Sequence, residues 1–328
     1  MALSDLTLAE LQEFRPEVEE PKDFDDFWAY QLAQARAKSK AAVIEKAEVS
    51  DFLTTVRASD ITFSGFAGDP VKAWLLSGAQ TPKDAPVVVE FLGYGGGRGD
   101  VLEWLPFSAA GFHHLVMDTR GQGSHWGSGG NTPDPHGSGP AATGMMTRGI
   151  ESPETYYYTR LVVDAVRAVD AAHEIFPESN VYLTGMSQGG GLAIAAANLG
   201  ERVAGLMANV AFLCNFRRAV EITEEKPFIE ITRYLSVHRQ AEAQVFKTLS
   251  YIDGVNHARR IGIPALFSVG LCDTVVPPST TYTAFNYLGE KVGRNPETIM
   301  EVYAYNNHEG GGFAQIRRQI EWIKQLEQ

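Results

Sequence analysis

The pentapeptide Gly185-Met186-Ser187-Gln188-Gly189 is the strongest chemical signal in this sequence. Glycines two positions before and two after a serine permit the sharp strand-to-helix turn that exposes a nucleophilic hydroxyl, because larger side chains would collide there. The turn also sets the serine at a helix N-terminus, whose free N–H groups favour developing negative charge. An inert glycine-rich junction is disfavoured because an apolar strand precedes the motif and a helix of small residues follows it. The pattern predicts Ser187 as a catalytic nucleophile.

A serine hydroxyl needs a neighbouring base at neutral pH, and eight histidines compete for that role. His308 follows the last predicted strand, where a chain order of serine, acid and histidine would put it. We therefore predict His308 as the base, against the alternative of a solvated loop histidine. A surface or capping role is expected for the others, which are His113, His114, His125, His136, His173, His238 and His257.

The third catalytic group must accept a hydrogen bond from the imidazole and stabilise the imidazolium as it forms. Asp273 follows the apolar run Ala265 to Gly270 directly and lies between the serine and the histidine in the chain. Its alternative role is to cap a loop turn. Asp253 is the reserve candidate, but it lies in a predicted helical insert.

Stabilisation of an oxyanion needs a second N–H donor, from the loop after an early strand. The run from Gly93 to Gly99 follows the strand pattern Pro86 to Leu92, and it predicts the backbone N–H of Tyr94 as a donor beside that of Gln188. A phosphate-binding interpretation of this loop is disfavoured because it has neither a Gly-Lys-Ser/Thr ending nor Gly-x-Gly-x-x-Gly spacing.

The elements that must position these residues alternate between strand and helix patterns. This rhythm predicts an α/β fold, a doubly wound and mostly parallel sheet with helices on both faces. The serine elbow at a strand–helix junction is typical of the α/β-hydrolase type of this fold. Further strands are predicted at Ile61 to Phe66, Val71 to Leu76, His114 to Asp118, Val181 to Gly185, Val203 to Val210 and Thr298 to Tyr305. Helices are predicted at Glu154 to Ile175, Gly190 to Asn198 and Phe313 to Leu326.

One domain is expected over residues 1–328, with an N-terminal helical extension over 1–40 and a helical insert at about 214–260. The extension carries an apolar stripe of Phe24, Phe27 and Trp28 at helical spacing, which we expect to pack on the main body. The insert is interpreted as a lid or an oligomer contact.

Composition narrows the class of protein. The net charge of −12 disfavours nucleic acid and anionic membranes as partners, and a neutral small-molecule substrate fits better. The two cysteines, Cys214 and Cys272, are too few for a disulfide framework and lack the spacing of a zinc site. No metal or cofactor is expected, and a cytoplasmic location is the default expectation.

With these residues in view, the chain resembles carbohydrate esterase family seven, the acetyl xylan esterases and cephalosporin C deacetylases. The motifs that carry the resemblance are Arg120-Gly121-Gln122-Gly123, the elbow from Gly185 to Gly190, and His308-Glu309, in the family's order and approximate spacing. The N-terminal stretch, Arg15-Pro16-Glu17 leading to Asp23 through Trp28, is similar too, so the likeness covers nearly the whole chain.

The resemblance implies a triad of Ser187, Asp273 and His308, without metal or cofactor, and oxyanion donors at Tyr94 and Gln188. It also implies removal of acetyl groups from acetylated sugars, xylooligosaccharides and cephalosporin C, in a ring-shaped homohexamer. Arg120 and Gln122 are expected to anchor their loop rather than contact substrate. Leu92 departs from the histidine of many members, which is expected to alter the pocket floor, and the loop 124–149 is expected to diverge.

Three rival functions remain open. A peptidase of the prolyl oligopeptidase type lacks support because no separate propeller domain is present in this sequence. A longer-chain esterase predicts a broad apolar surface, which a mean hydropathy of −0.15 does not favour. A catalytically silent carbohydrate-binding module is disfavoured because it would have no need of a complete predicted triad.

Overall fold

A twisted sheet forms the centre of the computed structural model, which describes residues 5–46, 53–293 and 297–328. Within that part of the chain the sheet has nine strands, in the order β1-β2-β3-β5-β4-β6-β7-β8-β9. The strands are β1 (Val43–Lys46), β2 (Val56–Ser64), β3 (Pro70–Gly78), β4 (Val87–Phe91), β5 (His113–Met117), β6 (Val181–Met186), β7 (Val203–Asn209), β8 (Ala265–Gly270) and β9 (Thr298–Tyr303).

The sheet is parallel from β5 to β9 and antiparallel at its β1-β2-β3 edge. The chain runs from β4 outward to β5 and then returns to β6 on the other side of β4. Strand order therefore reverses between β4 and β6, and the carboxyl ends of strands at such a point form a natural crevice. The mostly parallel sheet confirms the predicted fold class.

Eleven α-helices flank the sheet in the described residues. They are α1 (Leu8–Glu13), α2 (Phe24–Ala37), α3 (Leu105–Ala109), α4 (Tyr157–Ile175), α5 (Gln188–Leu199), α6 (Phe216–Ile222), α7 (Ile229–Val237), α8 (Glu242–Ser250), α9 (Gly254–Ala258), α10 (Pro278–Asn286) and α11 (Gly312–Leu326). No helix of the described chain is long and apolar enough to cross a membrane.

Alternating residues of the parallel strands build two cores on opposite faces of the sheet. In β6, Leu183 packs with the larger core, which includes α4 and α5, whereas Tyr182 packs with Trp322 of α11 and Phe107 of α3. Side chains one residue apart in a strand point to opposite faces, which explains the separation. The sheet is therefore covered on both sides, as a parallel sheet requires.

The structure differs from the sequence expectation in several elements. Strand β1 and helix α10 were not predicted, and β2 begins five residues before the predicted start at Ile61. The N-terminal region is two helices, α1 and α2, joined by a non-helical segment, rather than continuously helical. The stripe of Phe24, Phe27 and Trp28 is buried in the larger core, as expected.

Candidate active site

Ser187 lies in a strained turn between β6 and α5. Its backbone has φ 57° and ψ −117°, in the left-handed half of the map that a residue with a side chain rarely adopts. The turn is held by backbone hydrogen bonds, in which Ser187 N donates to Asn209 O at 2.9 Å and Phe212 N donates to Ser187 O at 3.0 Å. Contacts from the neighbouring strand β7 and the segment after it therefore stabilise the strained serine.

The two outer glycines of the pentapeptide are required by close packing. A Cβ at Gly185 would lie 2.3 Å from the carbonyl carbon of Gly189, and a Cβ at Gly189 would lie 2.0 Å from the Phe91 carbonyl oxygen. Both distances are far inside van der Waals contact, so any side chain would force the elbow open. The structure gives the pentapeptide the strand–turn–helix geometry that its spacing predicts.

The carboxylate of Asp273 lies beside the imidazole of His308. Asp273 Oδ2 is 2.8 Å from His308 Nδ1, and Asp273 Oδ1 accepts hydrogen bonds from the N–H groups of Val275 and Val276, each at 2.9 Å. The carboxylate is almost completely buried, and its second oxygen is occupied by the backbone. This arrangement can fix the imidazole with Nε2 available as a proton acceptor.

Ser187 and His308 line one cavity of about 610 Å³ at the carboxyl ends of the parallel strands. Within the part of the chain that the structure describes, no hydrogen bond joins the Ser187 hydroxyl to the His308 ring. A loose serine–histidine contact is common in free enzymes and tightens when substrate binds. The cavity thus brings the candidate nucleophile and base to a common surface.

Two backbone N–H groups near the elbow are candidates for the oxyanion donors. Neither Tyr94 N, after β4, nor Gln188 N, at the start of α5, donates a hydrogen bond within the described chain. Gln122 connects the two segments, since its Oε1 accepts from Gly95 N at 2.5 Å and its Nε2 donates to Gln188 Oε1 at 2.9 Å. The Gln188 amide in turn donates to Leu92 O at 3.1 Å. These bonds tie the loop after β4 to the elbow.

The Tyr94 side chain is fixed by the helical insert. Its hydroxyl donates to the Glu230 carboxylate, at 2.9 Å to Oε1 and 3.0 Å to Oε2, and accepts from Met145 N at 2.6 Å. Burial raises the pKa of Glu230, and burial together with the Glu230 charge raises that of the Tyr94 hydroxyl. Tyr94 therefore stays protonated and acts as a donor. The Tyr94 carbonyl also accepts from Trp126 Nε1 at 2.7 Å.

Arg120 is completely buried. Its guanidinium donates to Asp164 Oδ1 at 2.8 Å, to Asp69 Oδ2 at 3.0 Å and to Asp134 Oδ1 at 3.3 Å. Burial alone would lower the pKa of this group, but the surrounding carboxylates raise it overall. Arg120 does not line the cavity, and it holds the loop that carries Gln122 against helix α4.

Several expectations for neighbouring residues were wrong. Leu92 packs in a core cluster with Leu76 and Val116 and does not line the cavity, so it forms no part of the pocket floor. The expectation of surface or capping roles is wrong for His113, His114 and His257, which are buried, whereas His125 is exposed as expected and lines the cavity. The buried carboxylate of Asp253 accepts backbone N–H groups of the insert and caps α9.

Sequence reasoning missed Glu230 and Trp126 among the residues of the cavity wall. Glu230 sits in a charged helical stretch that looks solvated, and Trp126 sits in a loop without periodicity; the one available signal was an isolated tryptophan among glycines. Among the described residues, no group of three or more His, Cys, Asp or Glu side chains is placed to hold a metal ion.

Comparison with known proteins gives a consistent family. The model of the acetyl xylan esterase family (AXE1) matches residues 1–326. The structure of an acetyl xylan esterase from Paenibacillus sp. R4 is 33% identical, with a TM-score of 0.87 over 98% of this chain and 99% of that one. Acetyl xylan esterase 1 from Thermoanaerobacterium sp. JW/SL YS485 is 28% identical, with a TM-score of 0.87 over 99% and 100% of the two chains.

A curated relative matches a shorter stretch. The acetyl esterase Axe7A of Xylanibacter ruminicola is 30% identical over 147 residues, which is 44% of this chain and 33% of that protein. The match thus spans about a third of the length of the curated relative.

Proposed function

Because the chain belongs to the acetyl xylan esterase family, we propose that it is a serine esterase that removes acetyl groups from acetylated carbohydrates. The family and the similar solved structures make the chemistry that of a carboxylic ester hydrolase. The nucleophile is Ser187, the base is His308, and Asp273 orients and stabilises the base.

The reaction proceeds through an acetyl-enzyme. His308 Nε2 takes the Ser187 proton as Oγ attacks the acetyl carbonyl, and the N–H groups of Tyr94 and Gln188 stabilise the oxyanion. His308 then returns the proton to the leaving sugar oxygen. Water, activated by the same imidazole, attacks the acetyl-enzyme and releases acetate.

One observation carries this proposal. A serine in a strained elbow shares a cavity with a histidine whose Nδ1 is 2.8 Å from a buried carboxylate. Strain at a residue with a side chain persists only where the surroundings enforce it, and such positions cluster at functional sites.

The proposal extends to further substrates, to the assembly, to the location and to the domain organisation of the protein. Cephalosporin C-like acetyl esters are alternative substrates, the assembly is a homohexamer, and the location is cytoplasmic. The chain is also one domain over residues 1–328, with the insert as part of it.

The acyl preference can be tested with a series of p-nitrophenyl esters. We expect a steep fall in kcat/KM from acetate through propionate and butyrate to octanoate. Ser187→Ala should lower kcat by on the order of 10⁴ or more, because the nucleophile is lost while the remaining site is intact. A fluorophosphonate probe should label the wild-type protein and not the variant.

The rivals predict other results. A flat or rising acyl series would indicate a general esterase, and no ester hydrolysis with labelling at Ser187 would favour a peptidase. Absence of both hydrolysis and labelling would indicate a silent carbohydrate-binding module. Retention of near wild-type turnover in Ser187→Ala would end the proposed mechanism.

A further inference from the structure

The loop that offers Tyr94 has little conformational preference of its own. Glycine occupies positions 93, 95, 96 and 97, so Tyr94 is the one side chain in this stretch. Gly95 adopts φ +83°, and glycine backbones have the greatest freedom of any residue. The direction of the Tyr94 N–H therefore has to be set by contacts from outside the loop.

Long-range hydrogen bonds supply that restraint at Tyr94 and Gly95; besides the bond from Met145 N to the Tyr94 hydroxyl and those from Gly123 N and His125 N to Gly95 O, three side chains take part. Gln122 Oε1 accepts from Gly95 N at 2.5 Å, Trp126 Nε1 donates to Tyr94 O at 2.7 Å, and Glu230 accepts from the Tyr94 hydroxyl at 2.9 Å. The first two come from the loop after β5. Among the described hydrogen-bond partners of Tyr94, Glu230 on α7 is the one that belongs to the helical insert.

The Glu230 carboxylate is buried, and it accepts hydrogen bonds from the Tyr94 hydroxyl and from one backbone N–H. The residue is 3% exposed and forms no ion pair within the described part of the chain. Its remaining hydrogen bond is accepted from Met146 N at 3.1 Å. Gly144 packs directly on it, since a Cβ there would lie 2.1 Å from Glu230 Oε2. A buried unpaired carboxylate is costly, and its hydrogen bonds go to Tyr94 and to the adjacent loop.

We propose that Glu230 is a positioning residue, through which the helical insert holds the Tyr94 N–H in the direction that stabilises the oxyanion. The inference rests on the proposed function and gives the insert a role in the chemical step. The Glu230 carboxylate does not touch the reacting atoms. It acts on the rate through the Tyr94 side chain.

The test is a double-mutant cycle of Glu230→Leu and Tyr94→Phe, assayed with ethyl acetate, p-nitrophenyl acetate and an acetylated xylooligosaccharide. Complete loss of one oxyanion donor typically costs about 10²- to 10³-fold in rate, so a misdirected donor should cost roughly 10- to 100-fold in kcat. The loss should be equal for all three esters with little change in KM. The double variant should be no slower than either single variant.

Two further variants sharpen the test. Glu230→Gln keeps an oxygen that can accept from Tyr94 and should restore most of the lost kcat. Glu242→Gln changes an exposed glutamate of the same insert, paired with Arg217, and should match the wild type. Fluorophosphonate titration to completion counts the folded active sites in each sample, so that kcat is not confused with loss of protein.

Several results would overturn the inference. These are an unchanged kcat in Glu230→Leu, additive losses in the cycle, or a raised KM confined to the sugar ester, which would make Glu230 a leaving-group contact. If Glu230→Leu does not fold, Tyr94→Phe decides, because it removes the same bond and leaves Glu230 in place. A wild-type protein without ester hydrolysis would instead refute the proposed function itself.

Discussion

The proposed triad side and the proposed oxyanion side of the cavity differ in the contacts that hold Asp273 and Tyr94. On the triad side, Asp273 accepts N–H groups from residues two and three positions further along the chain. On the proposed oxyanion side, the hydrogen-bond partners of Tyr94 and its neighbour Gly95 lie between 27 and 136 positions away, and they include the side chains of Gln122, Trp126 and Glu230. The turn that holds Asp273 is therefore local, whereas the loop that carries Tyr94 is held by partners that meet it only after folding.

This difference separates how each side should respond to substitution. The proposed triad supplies the nucleophile, the base and the carboxylate that orients the base, so loss of any one member disables proton transfer from the serine whatever the surrounding packing. The oxyanion loop has several restraints that act together, so removal of one should misdirect the donor without abolishing it. We therefore expect large losses on the triad side and graded losses on the oxyanion side.

The largest effect in this comparison is expected for Asp273→Asn. The asparagine amide would offer an N–H toward His308 Nδ1 and favour the tautomer that protonates Nε2, which then cannot accept the Ser187 proton. We expect kcat for p-nitrophenyl acetate to fall by on the order of 10³ to 10⁴. Asp84→Asn, at an exposed position, serves as the control. A loss of less than about tenfold would mean that the carboxylate is a turn cap and would erase the contrast between the two sides.

The contrast between local and long-range contacts also explains which strands and helices could be predicted from the sequence. The strands β4, β6 and β8 are short buried apolar runs, and each lies within two residues of its predicted span because hydrophobic patterning determines it. Helix α10 was missed because its sequence starts with proline and is rich in threonine, which has a weak helix propensity. Burial of most of its residues stabilises the helix instead.

The residues of the candidate site also differ in how far the sequence predicts them. Ser187, Asp273 and His308 follow recognisable strands, so their order in the chain predicted a shared cavity. Glu230 could not be found in this way, because a glutamate among charged residues is indistinguishable from one on a solvated helix face. Only the folded chain shows that α7 turns this carboxylate toward Tyr94.

A smaller effect is expected for Gln122→Ala, which would sharpen the account of the oxyanion side. The change leaves the buried Gly95 N–H without its acceptor and breaks the bond to Gln188, so both donor segments lose a restraint. We expect kcat to fall by roughly 10- to 100-fold, and the free energy of unfolding to fall by about 1–3 kcal/mol.

Two further variants test how the Gln122 side chain affects kcat and stability. Gln122→Glu keeps an acceptor for Gly95 but loses the donor to Gln188, so its kcat should be intermediate. Gln80→Ala, at an exposed position, should match the wild type in both kcat and denaturant unfolding. A KM effect without a kcat effect in Gln122→Ala would show that this side chain contacts substrate and does not restrain the donors.

The smallest effect is expected for Trp126→Phe, which keeps an aromatic ring but removes the indole N–H that donates to Tyr94 O. A net hydrogen bond is worth about 0.5–1.5 kcal/mol, which corresponds to a loss of roughly 2- to 10-fold in kcat. Trp104→Phe is a matched control, because it deletes an indole bond to the Arg98 carbonyl outside the catalytic cavity, and its kcat should not change. If both variants lose stability equally and neither loses kcat, the bond to Tyr94 only supports the fold. If Trp126→Phe instead raises KM for sugar esters alone, this wall of the cavity binds the leaving group, and the restraint on Tyr94 comes from Gln122 and Glu230.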